Sequence, residues 1–156
     1  MARPSHSQAA SVAAGVGQFD VFNKGEDAEG TWEIRLAPRR LRFQPRWVPD
    51  FMPVAGLMAT SRGTLYSYAG LRWDLPLSPS WSLAPSFATG LYYRGKGKGK
   101  NLGGALEFRS GIELSHAVSD KTRVGLSLYH LSHAGIGGKN PGSESLILTV
   151  TQRLRR

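Results

Sequence analysis

Apolar and polar residues alternate one by one along most of this chain, in segments of roughly ten to fifteen residues divided by turn signals. No long stretch has helical periodicity, so the alternation argues for an all-β fold. The segment 64–75 shows the design: Leu65, Ala69, Leu71, Trp73 and Leu75 face one way, Tyr66, Tyr68, Arg72 and Asp74 the other. Farther on, Leu106, Phe108, Ile112 and Leu114 oppose Glu107, Arg109 and Glu113, and Trp81, Leu83, Phe87, Leu91 and Tyr93 oppose Ser82, Ser86, Tyr92 and Arg94. Eight such segments can be read, the first four at 10–22, 31–43, 47–60 and 64–75. Pro49 and Pro53 make the pairing of the third the least regular.

The rows carrying charge decide between two architectures. In a soluble barrel or sandwich the charged row meets water. In an outer-membrane barrel the apolar row meets lipid, and Glu33, Arg35, Arg72, Asp74, Glu107, Arg109 and Glu113 pack inside. Spanning a bilayer takes about 9–11 tilted residues, against about five or six in an ordinary strand, and these segments are long. The turns at 76–80 and 119–120 are short while alternate connections are longer, as in outer-membrane barrels. The expectation is therefore an eight-stranded antiparallel up-and-down transmembrane β-barrel, with a polar segment at 1–9 and a single barrel domain at 10–156. Eight strands place both chain ends at one rim and the connections near 23–30, 61–63, 95–101 and 134–142 at the other.

Composition narrows the chemistry. The 156 residues include no cysteine, which excludes disulfides and thiolate metal sites, and no metal or cofactor is expected. The net charge of +9 suits a polyanion such as lipopolysaccharide or an anionic membrane surface. Nucleic acid is a poor candidate, because charges are partly offset within strands and no recognition motif is present. No apolar run of about 18 residues occurs, so a transmembrane helix is not expected. Residues 1–8 are polar, without an apolar signal core. A barrel bound for the outer membrane needs a leader, so the expectation is that a signal peptide is missing from this sequence.

The segments 124–132 and 144–150 flank a turn rich in Gly, Asn and Pro, the pattern of a hairpin. Val124, Leu126, Leu128, His130 and Ser132 share one face, and Glu144, Leu146, Leu148 and Val150 share the other strand's equivalent face. Three polar residues thus continue two apolar rows beside one turn. Their types suit acyl transfer: a serine nucleophile, a histidine base two residues away and a carboxylate across the hairpin to orient the imidazole. Spacing alone leaves open that they are ordinary strand-end residues.

The run His130-Leu131-Ser132-His133-Ala134-Gly135, followed by Asn140-Pro141-Gly142-Ser143-Glu144, resembles the lipid A 3-O-deacylase (PagL) family of outer-membrane esterases. That family has H-x-S-N-A and then an acidic residue fourteen positions after the His, and His130 to Glu144 is also fourteen. Weaker resemblance extends through 102–114 and 66–71. The resemblance implies Ser132 as nucleophile, His130 as general base and Glu144 as orienting acid, acting on the 3-hydroxyacyl ester at position 3 of lipid A. His133 stands where the family has Asn, so it and Gly135 are the oxyanion-hole candidates. Lys96, Lys98 and Lys100 are candidates for contact with lipid A phosphates. The expected setting is the bacterial outer membrane, with lipopolysaccharide and membrane lipid as partners and a homodimer as an allowed assembly. Two alternatives stand beside this reading: a non-catalytic structural or adhesive barrel, and a soluble lipocalin-like carrier with apolar rows turned inward.

Overall fold

The apolar rows lie on the outside. In the computed structural model, which describes residues 9–23, 27–96, 98–136 and 138–154, Trp32, Ile34, Leu91, Leu126 and Leu148 are exposed. The alternate positions Glu33, Arg35, Glu107, Arg109 and Glu113 are buried. This inversion is the outer-membrane arrangement, and it overturns the soluble carrier, which needs the apolar rows inside.

Eight strands form the wall: β1 Ser11–Phe19, β2 Asp27–Arg35, β3 Phe51–Thr60, β4 Leu65–Trp73, β5 Trp81–Tyr93, β6 Leu106–Ala117, β7 Thr122–Ser132 and β8 Ser143–Arg153. A two-residue strand, Leu75–Pro76, prolongs β4 after Asp74 and pairs with β5. Each strand pairs antiparallel with its neighbours in sequence, and β1 pairs with β8, which closes the sheet into a barrel. Closure removes the unpaired edges that lipid cannot solvate.

The interior is filled by side chains, as eight strands allow. A chain of alternating charge crosses it. Arg109 Nη1 donates to Glu33 Oε2 at 3.3 Å, Arg35 Nε to Glu33 Oε1 at 2.6 Å, and Arg35 Nη2 to Glu113 Oε2 at 2.9 Å. Arg72 completes it, donating to Glu113 Oε1 at 2.7 Å and to Asp74 at 2.8 Å. The Arg109 guanidinium also lies 3.4 Å from the Tyr129 ring centroid and 4.2 Å from that of Tyr68. Above this, Phe19, Met58, Tyr66, Tyr92, Leu102 and Leu131 form an apolar cap.

The second and third strands depart most from the sequence reading, and the first is shorter, ending at Phe19 and not at 22. The second strand begins at Asp27 and ends at Arg35, instead of spanning 31–43. Asp27 and Glu29 have poor strand propensity, but they extend the buried polar row of Thr31, Glu33 and Arg35. The third strand begins at Phe51, not at 47. Residues 36–50, which hold Pro38, Pro45 and Pro49, form a connection at the rim where short turns were expected. The turns at 77–80 and 118–121 on that rim are tight, and β1 starts and β8 ends there, with Ser11 opposite both Arg35 and Arg153. This is the periplasmic end. The β1–β2, β3–β4, β5–β6 and β7–β8 connections leave the outer rim.

Candidate active site

The β7–β8 register sets Val124 opposite Val150, Leu126 opposite Leu148, Leu128 opposite Leu146, and His130 opposite Glu144. Each pair points outward, so the last faces lipid at the outer rim. His130 Nδ1 and Glu144 Oε1 are 2.9 Å apart. A carboxylate can only accept, so Nδ1 carries the proton and donates it, and the Nε2 lone pair is left for base chemistry. Half of the His130 side chain is exposed.

Ser132 follows on the same outer row, half-buried and opposite Phe108 of β6. The Phe108 ring stacks on that of Phe87, with centroids 5.9 Å apart. The structure thus brings His130 and Glu144 into contact. Among the described residues the Ser132 hydroxyl has no hydrogen bond to His130, although the two occupy successive outward positions on β7. Such a bond is commonly long before substrate is bound.

Gly142 holds the imidazole from the turn side. Its φ is +61°, and a Cβ there would stand 2.8 Å from His130 Cε1. Any other residue would carry both the strain of a left-handed backbone and a collision with the ring. The backbone at Glu144 is tied to the first connection, where Val21 N–H donates to the Glu144 carbonyl at 3.0 Å. Ser143 Oγ donates to Asp20 Oδ1 at 3.3 Å, and Asp20 also takes an ion pair from Lys100.

His133 is placed differently from what the resemblance implies. Strand alternation sends Ser132 outward and His133 inward. The His133 side chain is buried, with Nε2 3.0 Å from the Lys139 carbonyl. Its backbone N–H donates to Asn140 Oδ1 at 3.3 Å. The ring therefore braces the β7–β8 connection from the inner side of the wall. Gly103, at φ +96°, fits against it, since a Cβ would lie 2.6 Å from His133 Nε2 and 2.5 Å from the Lys139 carbonyl. Gly135 sits on the exposed turn just after the strand, at φ +79° behind Ala134 at +53°, and Ile136 N–H closes the turn on the His133 carbonyl at 3.1 Å.

The three loop lysines part company. Lys96 and Lys98 are exposed, whereas Lys100 is engaged with Asp20. Exposed Lys139, which sequence reasoning passed over, lines a groove with Asn101, Gly103, Asn140 and Pro141 beside the hairpin turn. His116, given no role from sequence, packs on Trp81 with ring centroids 4.8 Å apart. His6 lies outside the described residues.

A family model described as lipid A 3-O-deacylase (PagL) matches residues 60–153, more than half of the chain. The chain belongs to the lipid A 3-O-deacylase (PagL) family. The match spans β4 to β8 and so includes His130, Ser132 and Glu144. Among solved structures, the outer membrane enzyme PagL is similar with a TM-score of 0.67 at 18% identity, covering 92% of this chain and 99% of the other. A de novo designed transmembrane β-barrel is similar at TM-score 0.61 and 12% identity, covering 98% of each chain. Neisserial surface protein A (NspA) follows at 0.58 and 12%, covering 93% of this chain and 96% of that one. These likenesses show the fold. A sequence search of curated proteins finds no match. The PagL-family assignment and the inverted barrel place the protein in the bacterial outer membrane, within a family of lipid A deacylases.

Proposed function

We propose that this PagL-family protein hydrolyses the 3-hydroxyacyl ester at position 3 of lipid A, with Ser132 as nucleophile, His130 as base and Glu144 as orienting acid. The observation that carries the reading is the His130–Glu144 hydrogen bond on the lipid-facing wall, in an otherwise apolar row. His130 Nε2 takes the Ser132 proton as Oγ attacks the ester carbonyl. The tetrahedral intermediate collapses, the sugar oxygen leaves with the proton from His130, and Ser132 keeps the acyl group. Water, activated in turn by His130, then releases the 3-hydroxy fatty acid and restores Ser132. Glu144 stabilises the imidazolium in both steps. The Gly135 backbone N–H is the proposed oxyanion donor, a contribution of about 2.7–4 kcal/mol when well aimed. Lys96 and Lys98 are left as the phosphate contacts, since Lys100 is engaged with Asp20.

The site needs no pocket, because its substrate is the bilayer itself. An ester of lipid A lies just below the head group, level with a cluster at the outer rim. Mass spectrometry of lipid A from cells making the protein tests this. The expected product lacks one 3-hydroxyacyl chain, and its fragments place the free hydroxyl at position 3. An unchanged profile would sink the proposal and favour a non-catalytic barrel.

Two variants probe the positioning groups. Glu144→Gln is expected to lower kcat about 10⁴-fold with KM little changed, because the wrong imidazole tautomer is then favoured. Gly142→Ala is expected to cost about 1–2 kcal/mol of local backbone strain and up to about 10²-fold in turnover through displacement of the His130 ring. Detergent-micelle assays on purified lipid A check both, with heat-shifted gel migration showing that the barrel has folded.

A further inference from the structure

We propose that the 36–50 connection is a second lipid-binding element, one that takes the anionic head groups of glycerophospholipids in the periplasmic leaflet. It lies at the opposite end from the catalytic cluster and outside the family-matched residues 60–153. The proposal therefore stands whatever the barrel's reaction is.

The connection is a built loop. Arg40 pairs with Asp50 at 2.7 Å and also donates to the Val48 and Pro45 carbonyls. Gln44 donates to the Val48 and Pro49 carbonyls at 3.1 and 2.7 Å and accepts from Leu41 N–H at 3.2 Å. At its base, Arg39 and Phe51 exchange backbone hydrogen bonds at 2.7 and 3.0 Å, and Leu36 N–H donates to the Pro53 carbonyl. These contacts fix the loop to the lower edge of β3, where Phe51 stands opposite Trp73 on the barrel's outer face.

The loop spends Arg40, Gln44 and Asp50 on itself and presents apolar side chains outward. Phe43 is 90% exposed, Trp47 83% and Leu41 64%. Large apolar side chains held outward on a braced loop, beside a lipid-facing Trp, belong at a membrane interface and not in free water. Arg39, Arg42 and Arg46 are interleaved with them, and among the described residues only Arg40 of the four loop arginines has an acidic partner. The Arg42 guanidinium lies over the Phe43 ring at 5.8 Å. Arginines in this setting keep their stems along apolar surface and turn their heads to phosphate oxygens. Charge and apolarity on one loop select an anionic phospholipid surface over a neutral one.

The test uses the whole chain refolded in phosphatidylcholine vesicles with and without phosphatidylglycerol. Trp32, Trp73 and Trp81 are changed to Phe, so that Trp47 alone reports. The expected result is blue-shifted Trp47 emission that is quenched by brominated phospholipid, shielded from iodide, and more so with phosphatidylglycerol. Emission quenched by iodide and indifferent to brominated lipid would overturn the proposal and point to a protein partner in the periplasm. Should the triple Phe variant fail to fold, native mass spectrometry of the otherwise unaltered protein carries the test. There, phosphatidylglycerol retained over phosphatidylcholine is expected to fall about fivefold for each of Arg39→Gln, Arg42→Gln and Arg46→Gln. These changes leave the Arg40–Asp50 clamp intact. Equal retention by these variants and the unaltered protein would overturn the proposal.

Discussion

Replacing Ser132 with alanine is expected to remove lipid A deacylation, by about 10⁴- to 10⁶-fold in kcat, while leaving the barrel's folding unchanged. The lower figure allows for catalysis that persists from binding and oxyanion stabilisation; the upper is what loss of a serine nucleophile costs where its triad acts as a unit. The hairpin makes this a sharp test. It carries three other serines, Ser127, Ser143 and Ser145, and all are fully buried within the barrel. Ser127 donates to Glu113 and Ser143 to Asp20, so they serve the interior and the rim. Ser132 shares the outer row of β7 with His130, and across the β6–β7 pair the exposed Ser110 stands opposite His130, so Ser110→Ala is the control that is expected to keep activity. A fluorophosphonate probe should label the unaltered protein and His133→Asn, and leave Ser132→Ala unlabelled. Labelling that survives Ser132→Ala, or full activity in that variant, would move the nucleophile elsewhere.

The largest expected effect on stability lies away from that site. Glu113→Ala should destabilise the barrel by about 3–5 kcal/mol, because removing one member of a buried ionic cluster leaves its partners uncompensated. The Glu113 carboxylate accepts from Arg35 and Arg72, and also from Ser127 at 3.1 Å and Thr149 at 3.2 Å. Without it, Arg35 keeps only Glu33 and Arg72 only Asp74 as acidic partners, in a space that water reaches poorly. Glu113→Leu is expected to fare no better, since it restores volume and not charge. Urea unfolding in lipid vesicles reads these differences. Equal midpoints for Glu113→Ala and the unaltered protein would show that the cluster contributes nothing.

The wall of the barrel was legible because alternation has a period of two and lipid accepts only one of the two faces. Leu126, Leu128, Leu146 and Leu148 announced their face, and with it that of His130 and Glu144. Strand ends were less legible. Asp27 and Glu29 read as loop residues because ordinary strand preferences describe half-buried surfaces in water, whereas a filled membrane barrel buries charge. The loop at 36–50 hid its boundaries behind Trp32, Ile34 and Leu36, because Leu41 and Phe43 resume an apolar alternation, out of phase and without pairing. His133 stands where the family has Asn, and the same alternation that reveals its neighbours turns its ring inward. Gly142 and Gly103 carry no side chain whose chemistry could signal a role. Their importance lies in what stands 2.8 Å and 2.6 Å from where a Cβ would be.

The direct opposition of His130 and Glu144 across β7 and β8 also makes activity a gauge of assembly. Side chains change sides with every residue, so a barrel closed with its last hairpin slipped by one place would turn one partner toward the lumen. A barrel slipped in this way would be chemically silent. Turnover per inserted molecule therefore counts correctly threaded barrels, a quantity that bulk folding assays of membrane β-proteins do not separate.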